Sequence, residues 1–279
     1  MDHFMTEQLT AFERHLNSEE RSGGTVEKYL RDVRQFAAWL DGGQVSKHAV
    51  AGWKQHLLST GCEPSTVNGK LASLNAFLRF AGREECRVRS LRLQRKLFRD
   101  SGKDLTRTEY ERLTHTARTL GKARLGLLME TICATGIRVS EVKYITVEAA
   151  LSGKAEISLK GKIRTILIPG KLCRKLQKYA KKQKIASGEI FLTRSGNSLS
   201  RKQIWAEMKA LCAAAGVAPS KVFPHNLRHL FATVFYQACK DIARLADVLG
   251  HSSVETTRIY LLTTGAEHVR QLNRLRLVC

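Results

Sequence analysis

His225 and Arg228 stand three residues apart in PHNLRHLFAT (residues 224–233), a run that otherwise reads as the opening of a buried helix. Residues three apart share a helix face, so both side chains can converge on one point. An imidazole and a guanidinium aimed at one point suit an anion, because both donate hydrogen bonds and the guanidinium can do so in bidentate fashion. A phosphate is the first ligand to consider. Arg138 just after Gly136, Lys160 in a glycine-containing turn, and His251 directly after Gly250 have the same character, each at an element boundary. Singly, each has a plain reading: an arginine beside a helix-ending glycine caps the helix, and a turn lysine sits in water. LADVLGHSSVETTRIYLL shifts the balance. A helix ends there at Gly250, His251 follows at once, and Ser252 with Glu255 has the form of a capping box that opens a short helix carrying Tyr260.

The elements that must hold these residues can be read from spacing and turn signals. The first hundred residues are helical by their apolar period. TVEKYLRDVRQFAAWL (25–40) places Tyr29, Val33, Phe36 and Leu40 at helical spacing, a second helix starts at the N-cap candidate Ser46 and stops at Gly61, and PSTVNGKLASLNAFLRFAG (64–82) closes at Gly82. RVRSLRLQRKLFRD then runs through Arg87, Arg89, Arg92, Arg95, Lys96 and Arg99 without an acid before Asp100. This is the expected boundary, with a helical domain over 1–86, a basic linker over 87–103 and a second domain over 104–279. Beyond it the pattern becomes mixed. Thr106 and Glu109 form a capping box, ARLGLLMETICATGIR is an apolar helix ended by Gly136, AEISLKGKIRTILIP alternates as a β-hairpin about KGK, and helices resume from Ser200. The fold class read from these signals is mainly α with a small β-sheet (α+β).

Charge narrows the partner. Lys and Arg number 47 against 25 Asp and Glu, a formal net charge of +22. Residues 1–100 carry 16 basic and 12 acidic side chains, residues 101–279 carry 31 and 13, so the excess is +4 against +18. A polyanion such as nucleic acid is implied, mainly against the C-terminal part. Ten basic residues from Lys160 to Lys184, uninterrupted by an acid, read as phosphate contacts on the same grounds. No window has the ~18 consecutive apolar residues of a membrane span, and the polar, acidic N-terminus is unlike a leader, so a cytosolic protein without membrane association is expected. Seven cysteines, none in a CxxC pair, read as reduced thiols rather than a disulfide or zinc framework.

The combination ATGIRVSEV, PHNLRHLFAT and LGHSSVETTRIY, an RxxE, HxxR and LGHxxxxTTxxY pattern in this order, resembles the tyrosine recombinases, the phage integrase family, and in particular its Xer-like two-domain members. The resemblance covers nearly the whole chain. It implies an N-terminal helical core-binding (SAM-like) domain and a C-terminal tyrosine-recombinase catalytic domain. Tyr260 would attack a DNA phosphodiester to give a 3′-phosphotyrosine and a free 5′-hydroxyl. Arg138 and Arg228 would clamp the phosphate, His225 would move the Tyr260 proton, Lys160 would protonate the leaving oxygen, and His251 would hydrogen-bond the phosphate. Glu141 would brace the local structure. Neither metal, ATP nor any other cofactor is implied. The family's hairpin commonly reads GKGxK and is shortened here to LKGKIR, which leaves Lys162 as the alternative to Lys160.

Double-stranded DNA recombination sites are the implied substrate, bound by four protomers around two sites, in integration and excision or in dimer resolution, with accessory DNA-binding proteins left open. No arm-binding domain is expected ahead of the core-binding pattern, which favours simple sites. TTGAEHVRQLNRLRLVC is a candidate docking tail with Val269, Leu272, Leu275 and Leu277 on its apolar side. His229 reads as a packed helix residue, and Tyr144, Tyr179 and Tyr236 as poor candidates for the nucleophile. The alternative function is a catalytically inactive DNA-binding regulator on the same scaffold, although such a protein has no chemical reason to keep all six residues. A metal-dependent nuclease would need clustered carboxylates, and a serine recombinase an N-terminal nucleophile domain.

Overall fold

The computed structural model describes residues 3–93, 101–159, 162–260, 269–270 and 273–274. The chain divides into two compact units, 1–95 and 96–279.

The first unit is built from α1 (His3–Ser18), α2 (Gly23–Leu40), α3 (Lys47–Ser59) and α4 (Pro64–Phe80). Each amphipathic stripe turns inward. Val26, Leu30, Val33 and Phe36 of α2 are buried with Phe12, Trp53, Leu71 and Leu74, while Tyr29 and Leu40 pack at the edge of that core. Ser46 caps α3 by accepting from the Ala49 N–H at 3.1 Å, and Pro64 opens α4, where its missing N–H costs nothing. A buried carboxylate, Asp32, ties α2 to α4 by accepting from Lys28 Nζ and Ser73 Oγ, both at 2.8 Å. The start of the basic segment is stapled to this unit: Asn75 bonds the backbone of Val88 in both directions, and Asn68 that of Leu91.

The second unit contains α5 (Arg107–Thr119), α6 (Ala123–Thr135), α7 (Val147–Ser152), β1 (Lys154–Leu159), β2 (Lys162–Leu167), α8 (Gly170–Lys182), α9 (Arg201–Lys209), α10 (Cys212–Ala215), α11 (Pro224–Cys239), α12 (Ile242–Leu249) and α13 (Val254–Thr257), with 3₁₀ turns at Val139–Tyr144 and Arg258–Tyr260 among others. The capping boxes Thr106–Glu109 and Ser200–Gln203 open α5 and α9. α6, apolar on nearly every face, is the central helix, packed by α5, α8, α9 and α11. It stops at Gly136, in the left-handed region with φ 66°, where a Cβ would collide with the Phe231 ring of α11. β1 and β2 form one antiparallel hairpin, from Lys154 opposite Leu167 to Leu159 opposite Lys162. The second unit is thus helical apart from this two-stranded sheet, as the alternating segment predicts.

One local expectation needs correction. The N-cap of α13 is Ser253, whose hydroxyl accepts from the Glu255 N–H at 3.2 Å, not Ser252; the turn after His251 takes one residue more before the helix begins. The apolar docking tail falls largely outside the described residues. Of its four apolar residues only Val269 is described, and it is exposed. The cysteines described, Cys62, Cys86, Cys133, Cys173, Cys212 and Cys239, are free thiols.

Candidate active site

Four segments distant in sequence meet where α6 ends. The left-handed turn at Gly136 redirects the chain, Ile137 plunges into the core, and Arg138 emerges at the start of the 3₁₀ turn. That turn is held by Glu141, which is 2% exposed. Its carboxylate accepts from the Arg138 backbone N–H at 2.7 Å and from Arg138 Nη1 at 2.9 Å. The other guanidinium nitrogen, Nη2, reaches the Gly250 carbonyl at 3.4 Å.

Arg228, on the first turns of α11, is 3% exposed. It donates to the carbonyl oxygens of Gly136 and, at 2.8 Å, Leu249, and lies 3.0 Å from His251 Nε2. His251 Nδ1 is 2.8 Å from Thr257 Oγ1. Since a guanidinium cannot accept a hydrogen bond, Nε2 must be the acceptor and Nδ1 must carry the proton donated to Thr257. His251 is therefore neutral in this arrangement. Its pKa agrees, pushed down to about 4 by burial and then by Arg228, Arg138 and Arg164. Burial and the Arg138 charge likewise lower the Arg228 pKa, to about 10, against the opposing pull of Tyr260.

Tyr260 ends the short segment launched by α13 and is 4% exposed, packed with Ala232, Leu245 and Leu249. Its ring lies parallel to that of His251 (centroids 6.1 Å apart, 11° between planes) and edge-on to that of His229 (4.8 Å, 65°). Its hydroxyl lies near enough to Arg228 to favour the charged guanidinium. His225, at the solvent-exposed mouth, sits with its ring 6.5 Å from that of His229; partial burial, then Arg228 and Arg138, lower its pKa. The structure thus brings together Arg138, Arg228, His251 and Tyr260, with His225 at the rim. Lys160 lies outside the described residues. Lys162 is placed only by its backbone, opposite Leu159 at the turn end of the hairpin.

Sequence reasoning missed one residue of the centre. Arg164 projects from β2 into the same centre, where Nη2 meets Glu141 Oε2 at 2.5 Å and Nη1 donates to the Leu249 carbonyl. Gly250 is required beside it, at φ 63°, because a Cβ would collide with the Arg164 side chain. The Arg164 Nε is buried with no partner among the described residues. Its position two residues after Lys162, on the strand leaving the turn, was the available signal. His229 is a packed helix residue, as read, and what the sequence left open is its neighbour: it packs on the Tyr260 ring and approaches Asp104 Oδ1 at 4.0 Å, and one turn from His225 it shares a face with it.

Among the described residues, the centre holds three guanidiniums, Arg138, Arg164 and Arg228, around the single carboxylate Glu141. A largely desolvated site with uncompensated positive charge is a site for an anion. The Phage integrase family profile matches residues 103–266, and the phage integrase N-terminal SAM-like domain matches residues 9–85. Tyrosine recombinase XerA of Thermococcus kodakarensis is 30% identical over 273 residues, covering 95% of this chain and 93% of that protein. Tyrosine recombinase XerC of Roseiflexus castenholzii is 30% identical over 280 residues, covering 92% and 88%. The fold is shared with a lambda integrase (75–356) dimer bound to a COC′ core site (TM-score 0.74, 18% identity, 93% and 96% coverage) and with the XerH recombinase bound to difH (TM-score 0.70, 19% identity, 95% and 83% coverage). With both profiles matched in order and the likeness to named recombinases sustained along nearly its full length, the chain belongs to the phage integrase family, the tyrosine recombinases.

Proposed function

We propose that this recombinase cuts and rejoins DNA strands at specific sites through Tyr260, with 1–86 as core-binding domain, 87–103 as linker and 104–279 as catalytic domain. The observation that carries the assignment of the nucleophile is the Tyr260 ring stacked beside that of His251, itself 3.0 Å from Arg228, inside a centre with two more guanidiniums than Glu141 alone can balance.

The chemistry follows from charge. Arg138 and Arg228 bind the nonbridging oxygens of a phosphodiester and stabilise the charge that builds there during attack. The Tyr260 oxygen bonds to phosphorus, the P–O5′ bond breaks, and the 5′-oxygen leaves with a proton from the hairpin lysine, Lys160. The Tyr260 proton passes to His225, which its lowered pKa keeps neutral and able to accept at pH 7. His251 hydrogen-bonds the phosphate once its Nε2 has taken up a proton, which the arriving anion favours. For this the Arg228–His251 contact must open, with phosphate oxygens replacing both the Leu249 carbonyl and the imidazole as acceptors. Because the phosphotyrosine keeps the bond energy, a 5′-hydroxyl from a second strand reverses the steps without ATP. Four protomers on two DNA sites is the assembly we propose; a lambda integrase tetramer bound to a Holliday junction shares the fold (TM-score 0.71, 18% identity).

Cleavage of a nicked suicide duplex in EDTA tests this reading. The intact protein should form a covalent DNA adduct. Arg228→Ala should lower its rate by about 10²–10³-fold, the range for losing one preorganised donor to a developing oxyanion. DNA binding with no adduct from any duplex tried would instead identify a non-cutting regulator.

A further inference from the structure

The catalytic centre does not use the most strongly charged surface of the described chain. α8 carries Lys171, Arg174, Lys175, Lys178, Lys181 and Lys182 with no acid, and all six are exposed. Lys171, Lys175, Lys178 and Lys182 follow i, i+4, i+7, i+11 spacing, which places them in one straight stripe about 16 Å long at 1.5 Å per residue. Arg174 and Lys181 flank it. Among the described residues only Lys175 has an acid partner, Glu130 of α6 at 2.5 Å, which also draws Arg118 of α5 to 3.6 Å. A solvated face gains from alternating signs at i, i+4, whereas here every such pair repels. Glu130 and dissolved counterions offset that repulsion in part, and an external polyanion relieves it further.

We infer that the α8 stripe is a second nucleic-acid backbone surface, separate from the catalytic centre; the inference rests on the chain being a DNA-binding protein. α8 packs on α6 and α7, whereas the centre is formed by the end of α6, β2, α11, the exit of α12 and the turn bearing Tyr260. α8 begins after the far end of β2, roughly 20 Å along the strand from the hairpin turn. Sixteen ångströms of duplex present on the order of ten phosphates, enough to meet the whole stripe. The charge alone does not choose between DNA, an acidic protein and an anionic membrane, but the rest of the helix does. Its apolar side, Leu172, Cys173, Leu176 and Ala180, is buried against the domain core and has nothing left to insert into lipid. Beside the stripe the one aromatic of α8, Tyr179, is partly buried against the domain core, and no fully exposed aromatic or aliphatic side chain stands among the cations as the central anchor a protein interface needs.

The test is the salt dependence of binding to a random-sequence duplex, which needs no cleavage and is therefore independent of whether Tyr260 is the nucleophile. The full chain is compared with a variant carrying Lys171→Gln, Arg174→Gln, Lys178→Gln, Lys181→Gln and Lys182→Gln, with Lys175 kept for its structural pairing. At about 0.9 per phosphate contact, the slope of log K against log salt should become shallower by about 4.5 if all five contact phosphate. The adduct yield at saturating DNA should not change. A matched variant with arginine at the four lysines should keep the original slope. If the five-fold change impairs folding, Lys178→Gln with Lys182→Gln alone should still reduce the slope by about 2. An unchanged slope would overturn the inference and return α8 to a solvated face, and an unchanged slope with lost affinity for poly-glutamate would assign it to an acidic protein. A fall in adduct yield at saturation would overturn the separation from the catalytic centre.

Discussion

At the scale of the residue, the centre is a set of guanidiniums shared among few acceptors, and its behaviour follows from who shares what. Arg164 and Arg228 both donate to the Leu249 carbonyl, and Arg164 and Arg138 both hold Glu141. Arg164 therefore positions the clamp without needing to touch substrate. Arg164→Gln should slow single-turnover adduct formation by about 10²-fold, the cost of an ångström-scale misplacement. Arg164→Lys should not restore it, because an ammonium lacks the planar fork that spans a carboxylate and a carbonyl. The lowered pKa values of His251 and His225 make stability depend on pH. Both take up protons in the unfolded chain near their ordinary ~6.5 but resist doing so when folded, so the unfolded state binds more protons as pH falls. Thermal stability is full above about 6.5 and declines toward pH 4, where His251 finally titrates. In scans of Tm against pH, His251→Gln should flatten that decline, and added duplex DNA should oppose it by supplying the anion that favours the charged imidazole.

At the scale of the element, glycines and caps decide where the functional residues emerge. Gly136 serves both the left-handed turn that ends α6 and the close approach of Phe231, so Gly136→Ala should cost about 2–4 kcal/mol from the strained φ and the overpacked contact together. A urea-unfolding midpoint would measure it. Gly250→Ala pushes against Arg164 instead, and its loss should fall more on adduct formation than on stability. These elements were largely legible in the sequence. The periods of α2 and α4, the apolar run of α6, the capping box at Thr106, and the alternation of the hairpin are local signals, set by side chains within a turn or two of one another. What the sequence could not show is which strands and turns come together. Arg164 looked like one more cation in a basic run, and its burial against Glu141, 23 residues away, is a tertiary fact with no local mark. His229 was read as a packed helix residue, as it is, but only the fold shows that the ring it packs on is that of Tyr260. The N-cap at Ser253 differed by one residue because two adjacent serines are equivalent until the turn after His251 is built.

At the scale of the whole molecule, a net charge of +22, concentrated at +18 in residues 101–279, makes affinity for DNA a matter of ionic strength. Adduct formation at subsaturating DNA should fall steeply with added salt while the rate at saturation changes little, because exposed cations are screened and the desolvated Arg228 is not. No helix among the described residues is long and apolar enough to cross a membrane. The account stands on one bond above all: phosphorus to the oxygen of Tyr260. The direct measurement is mass spectrometry of the adduct trapped on a nicked duplex in EDTA, after digestion of protein and DNA. The account predicts a nucleotide phosphate on the peptide containing Tyr260 and no adduct from Tyr260→Phe; a phosphate on any other residue, or an adduct that persists in Tyr260→Phe, would contradict it.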